Sequence, residues 1–369
     1  MPHSNLFQPT RLGTISAANR LVTAPMTRIS GNPDGTIGPL MTDYYANFAR
    51  GGFGVVITEG IYTDEAYSQG YINQPGIATG AQRDSWKPLV KEVQSLDSKI
   101  IMQLMHAGAL SQFNAYKDVA KGPSAVQPGG EKMPFYHGTG PYSTPQAMDE
   151  KDIEQVIEGF VLSADRARDA GFDGVEIHGA NGYLLDQFFT KHTNERTDKY
   201  GGTVANRILL TCEIITAVRQ TVGPDFVVGV RISQGKVNDF EHKWSGGVED
   251  AAIVFKALAD AGADYIHTTE FEADKPAFGE GDTLASLAGK HAGLPVIANG
   301  AMTDPIRASG LLDNGDADFI AIAKGALANS DWPNLVRQNE PLKEFDFGML
   351  SPYADLESAL SFQSQNYSN

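Results

Sequence analysis

Thiol chemistry is almost absent from this chain, whose only cysteine is Cys212. An internal disulfide is therefore impossible, and a cysteine-ligated metal or iron–sulfur cluster is excluded. Cys212 stands among Ile208, Leu209, Ile215 and Val218 at helical spacing, which predicts a small buried hydrophobe. Long apolar runs are missing as well. No stretch approaches the roughly 18 residues of a membrane helix, and the start, Met1 to Phe7, lacks the basic and apolar segments of a signal peptide. The expectation is a cytoplasmic protein with no membrane partner. Positive charge is scarce: 29 Lys and Arg stand against 45 Asp and Glu, a net charge of −16. That balance argues against a nucleic-acid partner, since such binders neutralise many phosphates with basic residues, but it leaves room for a pocket holding one phosphate. The eight histidines are scattered without an H-E-x-x-H pair, so no catalytic metal is expected. No G-x-G-x-x-G follows a strand and no G-x-S-x-G occurs, which argues against a Rossmann dinucleotide site and a serine-hydrolase elbow.

What the chain does have is repetition. Short β-branched runs alternate with amphipathic helical segments, and 41% hydrophobic content over 369 residues can fill a large core. The expected strands are Leu21 to Ala24, Gly54 to Thr58, Ile100 to Leu104, Val175 to Ile177, Phe226 to Val230, Ala263 to Ile266, Pro295 to Ala298 and Ala317 to Ile322. Helices are expected over Thr42 to Arg50, Gln82 to Ser95 and Val204 to Thr221, with a final one holding Leu327, Leu335 and Val336. The helix carrying Ile153, Val156, Phe160 and Val161 starts at the carboxylates of Asp149 to Asp152, where the helix dipole favours them. Asp169-Ala-Gly-Phe-Asp173 and Asp260-Ala-Gly-Ala-Asp264 read as helix-to-strand turns with glycine ending the helix. Eight βα units with no linker between them predict a closed (β/α)8 TIM barrel forming one domain over residues 1–369. The long segment after the third strand, about residues 108–148, has Pro, Gly and aromatics but no helical pattern, and is expected to be a lid.

Polar residues collect where a barrel enzyme keeps its site, at the C-terminal strand ends. Thr27 follows the first strand, Gly60 the second, and Gln103 and His106 close the third. His178 and Asn181 come immediately past the fourth, Val175 to Ile177, where the chain breaks at Gly179. Arg231 ends the fifth, Asn299-Gly300 the seventh and Lys324 the eighth. For any one residue a structural role is the safer reading, His178 as a strand cap and Asn181 as a turn former; so many converging tips are hard to explain as packing. Asn299-Gly-Ala-Met302 and Ala323-Lys-Gly325 together suit a phosphate, with glycines allowing close backbone approach and Lys324 supplying charge.

These residues also fall in motifs. The chain resembles the Old Yellow Enzyme family of FMN-dependent ene-reductases through Asn19-Arg-Leu-Val-Thr-Ala-Pro-Met-Thr27, Gln103-Leu-Met-His-Ala-Gly108, Gly122-Pro-Ser-Ala125 and Val175-Glu-Ile-His-Gly-Ala-Asn-Gly-Tyr183. Asn194-Glu-Arg-Thr-Asp-Lys-Tyr-Gly-Gly202, Asn206-Arg207 and Ala328-Asn-Ser-Asp-Trp332 follow in the family's order. The resemblance implies FMN across the barrel mouth, with Thr27 near flavin N5 and Pro25, Met26 and Gly60 along the ring. It places Gln103 and Arg231 at the pyrimidine edge, and Gly300, Ala301, Ala323 and Lys324 at the phosphate. His178 and Asn181 match the pair that grips the substrate oxygen, Tyr183 the proton donor and Tyr71 a pocket aromatic. Ala323-Lys324 departs from the family's usual Gly-Arg, keeping the charge without the bidentate fork, and Met105 stands where many members have tryptophan. Thr27 in place of cysteine resembles the classical branch, and the second-domain cysteines of the family's iron–sulfur dienoyl reductases are not found in this sequence.

The expected activity is ping-pong: NADPH or NADH reduces FMN, and an activated alkene (enone, maleimide, nitroalkene or quinone) reoxidises it, with Tyr183 giving the proton. The alternative is a non-redox barrel lyase or aldolase on a phosphorylated substrate, with Lys324 as Schiff-base amine, which leaves Thr27, Gln103 and Arg231 without work.

Overall fold

The structure is a computed structural model that describes residues 3–366. Met1 and Pro2, part of the start read above for a signal peptide, lie outside the described residues, as do residues 367–369. The chain opens with a hairpin, β1 (Thr10–Leu12) and β2 (Ile15–Ala17), before the first barrel strand, β3 (Leu21–Thr23). Helix α1 (Pro39–Arg50) leads to β4 (Val55–Tyr62), and α2 (Gly80–Ser95) to β5 (Lys99–Met105). The long segment that follows contributes β6 (Lys121–Gly122) and β7 (Gln146–Ala147), which pair with each other. Next come α3 (Glu150–Ala170), β8 (Gly174–Asn181), the short α4 (Leu184–Phe189), α5 (Val204–Val222) and β9 (Val227–Lys236). Helix α6 (Gly247–Asp260) and β10 (Tyr265–Thr269) precede a hairpin, β11 (Pro276–Phe278) and β12 (Glu280–Thr283). The chain closes with α7 (Leu284–Ala292), β13 (Val296–Asn299), α8 (Pro305–Asp313), β14 (Phe319–Ile322), α9 (Lys324–Ala328), α10 (Trp332–Gln338) and α11 (Leu356–Asn366).

Eight of these strands close into a parallel barrel in the order β10-β13-β14-β3-β4-β5-β8-β9, as expected of a TIM barrel. Alternation along each strand divides the core in two. Val22, Val55, Ile101, Val227, Tyr265, Ile297, Phe319 and Ala321 pack with Leu12 and Ala17 of the first hairpin in one cluster inside the barrel. Their neighbours Val56, Ile100, Met102, Val228 and Val296 join the larger cluster that meets the helices. A strand covered on both faces must be apolar on both, which is why these runs read as continuous hydrophobic stretches. Capping boxes begin α2 (Thr79 with Gln82) and α3 (Asp149 with Asp152). Gly171 follows α3 with φ of +95° and Gly262 ends the next repeat of the turn with φ of +101°, as read from the sequence.

The structure corrects several boundaries. The fourth strand does not stop at Gly179; β8 runs to Asn181, with an irregularity between Gly179 and Asn181 where it follows β9. His178 therefore sits within the strand. Gly60 likewise lies within β4, and Arg231 lies within β9, which extends to Lys236. The helix expected to hold Leu327, Leu335 and Val336 is two short ones, α9 and α10, with α11 beyond them, and the long segment is not devoid of structure. Cys212 is half-buried against the helical side of the core, with burial pushing its thiol up to about 12. Motif residues away from the mouth fasten the end of α4 and the loop that follows it: Arg207 donates to the carbonyls of Phe189 and Gly202, and Asn194 to those of Phe188 and Tyr200.

Candidate active site

One cleft of about 250 Å³ opens at the C-terminal end of the barrel. Pro25, Met26 and Thr27 border it from beyond β3, Gly60 from β4, Gln103 and Met105 from β5, His178 and Asn181 from β8, Arg231 from β9, and Ala323 with Lys324 from beyond β14. Tyr183 closes its side. Residues from six separate stretches of sequence thus share one cleft, and two further stretches join them. The long segment supplies Met133, Phe135 and Tyr136, and the C-terminal tail Phe345 and Leu350.

Several sequence-predicted residues stand outside that lining. Tyr71 is completely buried behind Tyr183, and the two phenol oxygens share a hydrogen bond at 2.5 Å. Gly300 and Ala301 form the turn after β13, the strand paired with β14, with φ of +144° and +52°. A Cβ at Gly300 would come within 2.3 Å of the Glu270 carbonyl, so no side chain fits. His106, counted above among the strand tips, turns away: its Nδ1 accepts from the Gly108 N–H at 3.1 Å, and it borders a different cavity beside Asp64.

The local chemistry is set by burial. His178 is 3% exposed and its imidazole pKa is driven down to about 3, chiefly by desolvation and then by the Arg231 charge, so the ring is neutral at physiological pH. Its ring lies 5.1 Å from that of Tyr183. Desolvation raises the Tyr183 phenol well above its ordinary value, and the hydrogen bond from Tyr71 only partly offsets this. Tyr183 therefore keeps its proton across the whole neutral range. Asn181 takes a left-handed φ of +61°, a conformation asparagine tolerates better than most residues. Its backbone is held by Ser233 Oγ, which accepts from its N–H at 2.7 Å, and by the Val237 N–H at 3.0 Å. Arg231 Nη2 donates to Asn299 Oδ1 at 2.9 Å, and Asn299 also accepts from Thr269.

Sequence reading missed a buried network under the cleft. Glu176 accepts hydrogen bonds from Gln103, Tyr265 and His267. A glutamate within Gly174 to Ile177, otherwise an apolar strand buried on both faces, is the signal that could have found it.

A flavin can be tested against these groups directly. His178, Arg231 and His267 are register neighbours on β8, β9 and β10, and each holds a buried nitrogen without a partner: Nδ1, Nε and Nε2. Buried polar atoms in a finished fold are nearly always paired. Three orphans side by side are what a chain folded around a polar heterocycle leaves behind. Across the mouth, Lys324 is exposed next to the glycine turn of β13, where an anionic tail would reach it. The residues present fit FMN. Among the described residues, no group of three or more metal-ligating side chains is found, and no helix is long and apolar enough to cross a membrane.

Comparison with known proteins agrees with the fold and with a flavin cofactor. Residues 5–343 match the model of the NADH:flavin oxidoreductase / NADH oxidase family. The chain is 32% identical over 350 residues to an NADH oxidase of Thermoanaerobacter brockii, covering 91% of this chain and 52% of that protein. The chain thus spans about half the length of that relative. Among solved structures, an old yellow enzyme homologue from Zymomonas mobilis superposes with a TM-score of 0.86 at 29% identity, covering 96% of this chain and 99% of that one. Morphinone reductase in complex with tetrahydroNAD gives 0.81 at 32% identity over 92% of both.

Proposed function

This chain belongs to the NADH:flavin oxidoreductase / NADH oxidase family, with Old Yellow Enzyme homologues among its structural neighbours, and from that premise we propose that it is an FMN-dependent ene-reductase. FMN, when bound, supplies the hydride chemistry that links a nicotinamide nucleotide to an activated alkene such as an enone, maleimide, nitroalkene or quinone. The chain supplies orientation, charge and a proton.

Pro25, Met26, Thr27 and Gly60 would line the ring system, and Gln103 with Arg231 would take its polar edge, as their shared cleft supports. Gly300, Ala301, Ala323 and Lys324 would hold the phosphate. His178 and Asn181 then face the acceptor's carbonyl or nitro oxygen. Being neutral, His178 acts as a hydrogen-bond donor; fixed donors of this kind stabilise the charge that grows on that oxygen. Tyr183 holds the proton for the α-carbon, and Tyr71 directs it. Because Tyr71 is buried behind Tyr183, the Tyr183 hydrogen is free to point into the cleft when Tyr71 donates. The segment over 108–148, with Met133, Phe135 and Tyr136 on the cleft, serves as a lid in this reading, and the chain acts as one FMN-binding unit.

The observation that carries the proposal is the convergence of His178, Asn181 and Tyr183 with Thr27, Gln103, Arg231 and Lys324 on one cleft. Lys324 is exposed, with its ammonium over the rings of Phe347 and Phe345 at 4.8 and 5.9 Å, a setting for a cation binding an anion and not for a buried Schiff-base amine. The test separates the two half-reactions. Tyr183→Phe is expected to slow alkene reduction about 10²–10⁴-fold, the usual span for a lost general acid, while reduction by NAD(P)H stays near wild type. Equal loss in both steps would remove Tyr183 from its assigned role.

A further inference from the structure

Below the cleft lies a carboxylate that the proposed reaction does not use. Glu176 is fully buried on β8, two residues before His178 and so on the same inward face. Its Oε1 accepts from Gln103 Nε2 at 2.8 Å, and its Oε2 from the Tyr265 hydroxyl at 3.0 Å and His267 Nδ1 at 2.9 Å. Gly229, the register partner of both Glu176 and Tyr265, makes the arrangement possible, because a Cβ there would meet the Tyr265 ring at 2.0 Å. Burying a carboxylate is costly and apolar side chains would fill this space more cheaply. Three donors and a glycine committed to it imply a purpose beyond packing.

The geometry has two consequences. A carboxylate can only accept, so the Gln103 amide must turn its NH2 group toward Glu176. Its carbonyl oxygen and second N–H are left for the cleft, where they form the acceptor–donor pair that matches a C(=O)–NH edge. The second consequence is electrostatic. Arg231, which lines the cleft, stands two positions beyond Gly229, the register partner of Glu176, on the same face of the neighbouring strand, so the carboxylate acts on its guanidinium. His267 gives the carboxylate its Nδ1 hydrogen, and burial holds the imidazole neutral, so the negative charge is hydrogen-bonded but not cancelled there. Two charges of opposite sign thus stand together under the cleft, one of them in contact with whatever fills it.

Resting on the flavin reading above, we propose that Glu176 is a positioning residue that fixes the Gln103 amide and tempers the Arg231 charge, and so sets the reduction potential of bound FMN. Reduction adds negative charge to the cofactor edge. A full guanidinium charge favours that, and a carboxylate behind it opposes it.

Glu176→Gln keeps the shape and can still accept from Gln103, but removes the charge. Reconstituted with FMN and titrated anaerobically against redox dyes, it is expected to show a midpoint potential raised by about 30 mV or more, the equivalent of a tenfold gain in preference for the two-electron reduced cofactor. FMN affinity should change by less than tenfold. Glu176→Leu, which strands Gln103, should weaken FMN binding more than tenfold. A Glu176→Gln protein with the wild-type potential overturns the inference, whatever its activity. If that variant fails to fold, Tyr265→Phe and His267→Phe decide the matter: each keeps the carboxylate charge and removes one donor to it, so each should lower the potential, and no shift in either overturns the inference. Failure of the wild type to bind FMN would instead defeat the flavin reading itself.

Discussion

Lys324 keeps a positive charge just beyond the end of β14, where the family resemblance leads to an expected arginine. Its ammonium sits over two aromatic rings of the C-terminal tail, beside the Gly300 turn. If it holds the FMN phosphate, Lys324→Ala should lose a charge-assisted hydrogen bond of about 1.5–3 kcal/mol, read by titration as an FMN affinity lower by roughly 10- to 100-fold. Lys324→Arg should preserve or improve it; an unchanged Kd in the alanine variant would place the phosphate elsewhere. His178, Asn181, Tyr183 and Lys324 were legible in the sequence because polar groups at glycine-flanked strand ends stand out against apolar runs. Glu176 was not. It lies inside such a run, and its partners Gln103, Tyr265 and His267 come from strands 73 to 91 positions away, so only the closed barrel brings them together. His106 misled for the complementary reason: it occupies the right strand end, but its ring is drawn back to the Gly108 N–H.

At the scale of the element, strand existence was plain and strand length was not. The central strands β8 and β9 run past the residues that mark their ends in sequence, because glycine at Gly179 lets the backbones stay paired where a side chain would meet Ile232 at 3.1 Å. The two hairpins went unread. Each strand of β1–β2 and β11–β12 has only three or four residues, too few for a period-two pattern to show. The β1–β2 hairpin matters, since Leu12 and Ala17 join the apolar cluster inside the barrel. Gly229 is the element-scale position most exposed to test. Gly229→Ala puts a Cβ where the Tyr265 ring lies, so it should destabilise the protein by about 1–3 kcal/mol through overpacking, with a lowered Tm. A variant with unchanged Tm and intact FMN binding would show that Tyr265 is not wedged against β9.

For the whole molecule, buried titratable groups predict how stability follows pH. His178 is held near 3, and burial also lowers His267 and His106, whereas the unfolded chain takes up those protons near the ordinary histidine value of 6.5. Their contribution is therefore complete above pH 6.5 and drains away on acidification. Glu59 works the other way. It is buried against Tyr45 and its carboxyl is raised to about 7, so its contribution is complete below the ordinary 4.5 and is lost as pH rises toward 7. With His242, also lowered by burial, four histidines against one raised carboxyl leave a net rise in stability from pH 4.5 to 6.5, of order 1.4 kcal/mol per pH unit for each uncompensated proton. Urea unfolding of the flavin-loaded protein at pH 4.5, 5.5 and 6.5 checks this; stability that is flat or falling over that interval would contradict it.

The proposed flavin at the mouth of this barrel passes hydride between two substrates in turn. An anaerobic titration followed by visible absorption tests it most directly. The purified protein should be yellow, should release one FMN per chain on denaturation, should bleach with one equivalent of NADPH or NADH, and should regain its colour on addition of a cyclic enone or maleimide. A colourless protein that takes up no FMN, or a bleached one whose colour no activated alkene restores, would contradict it.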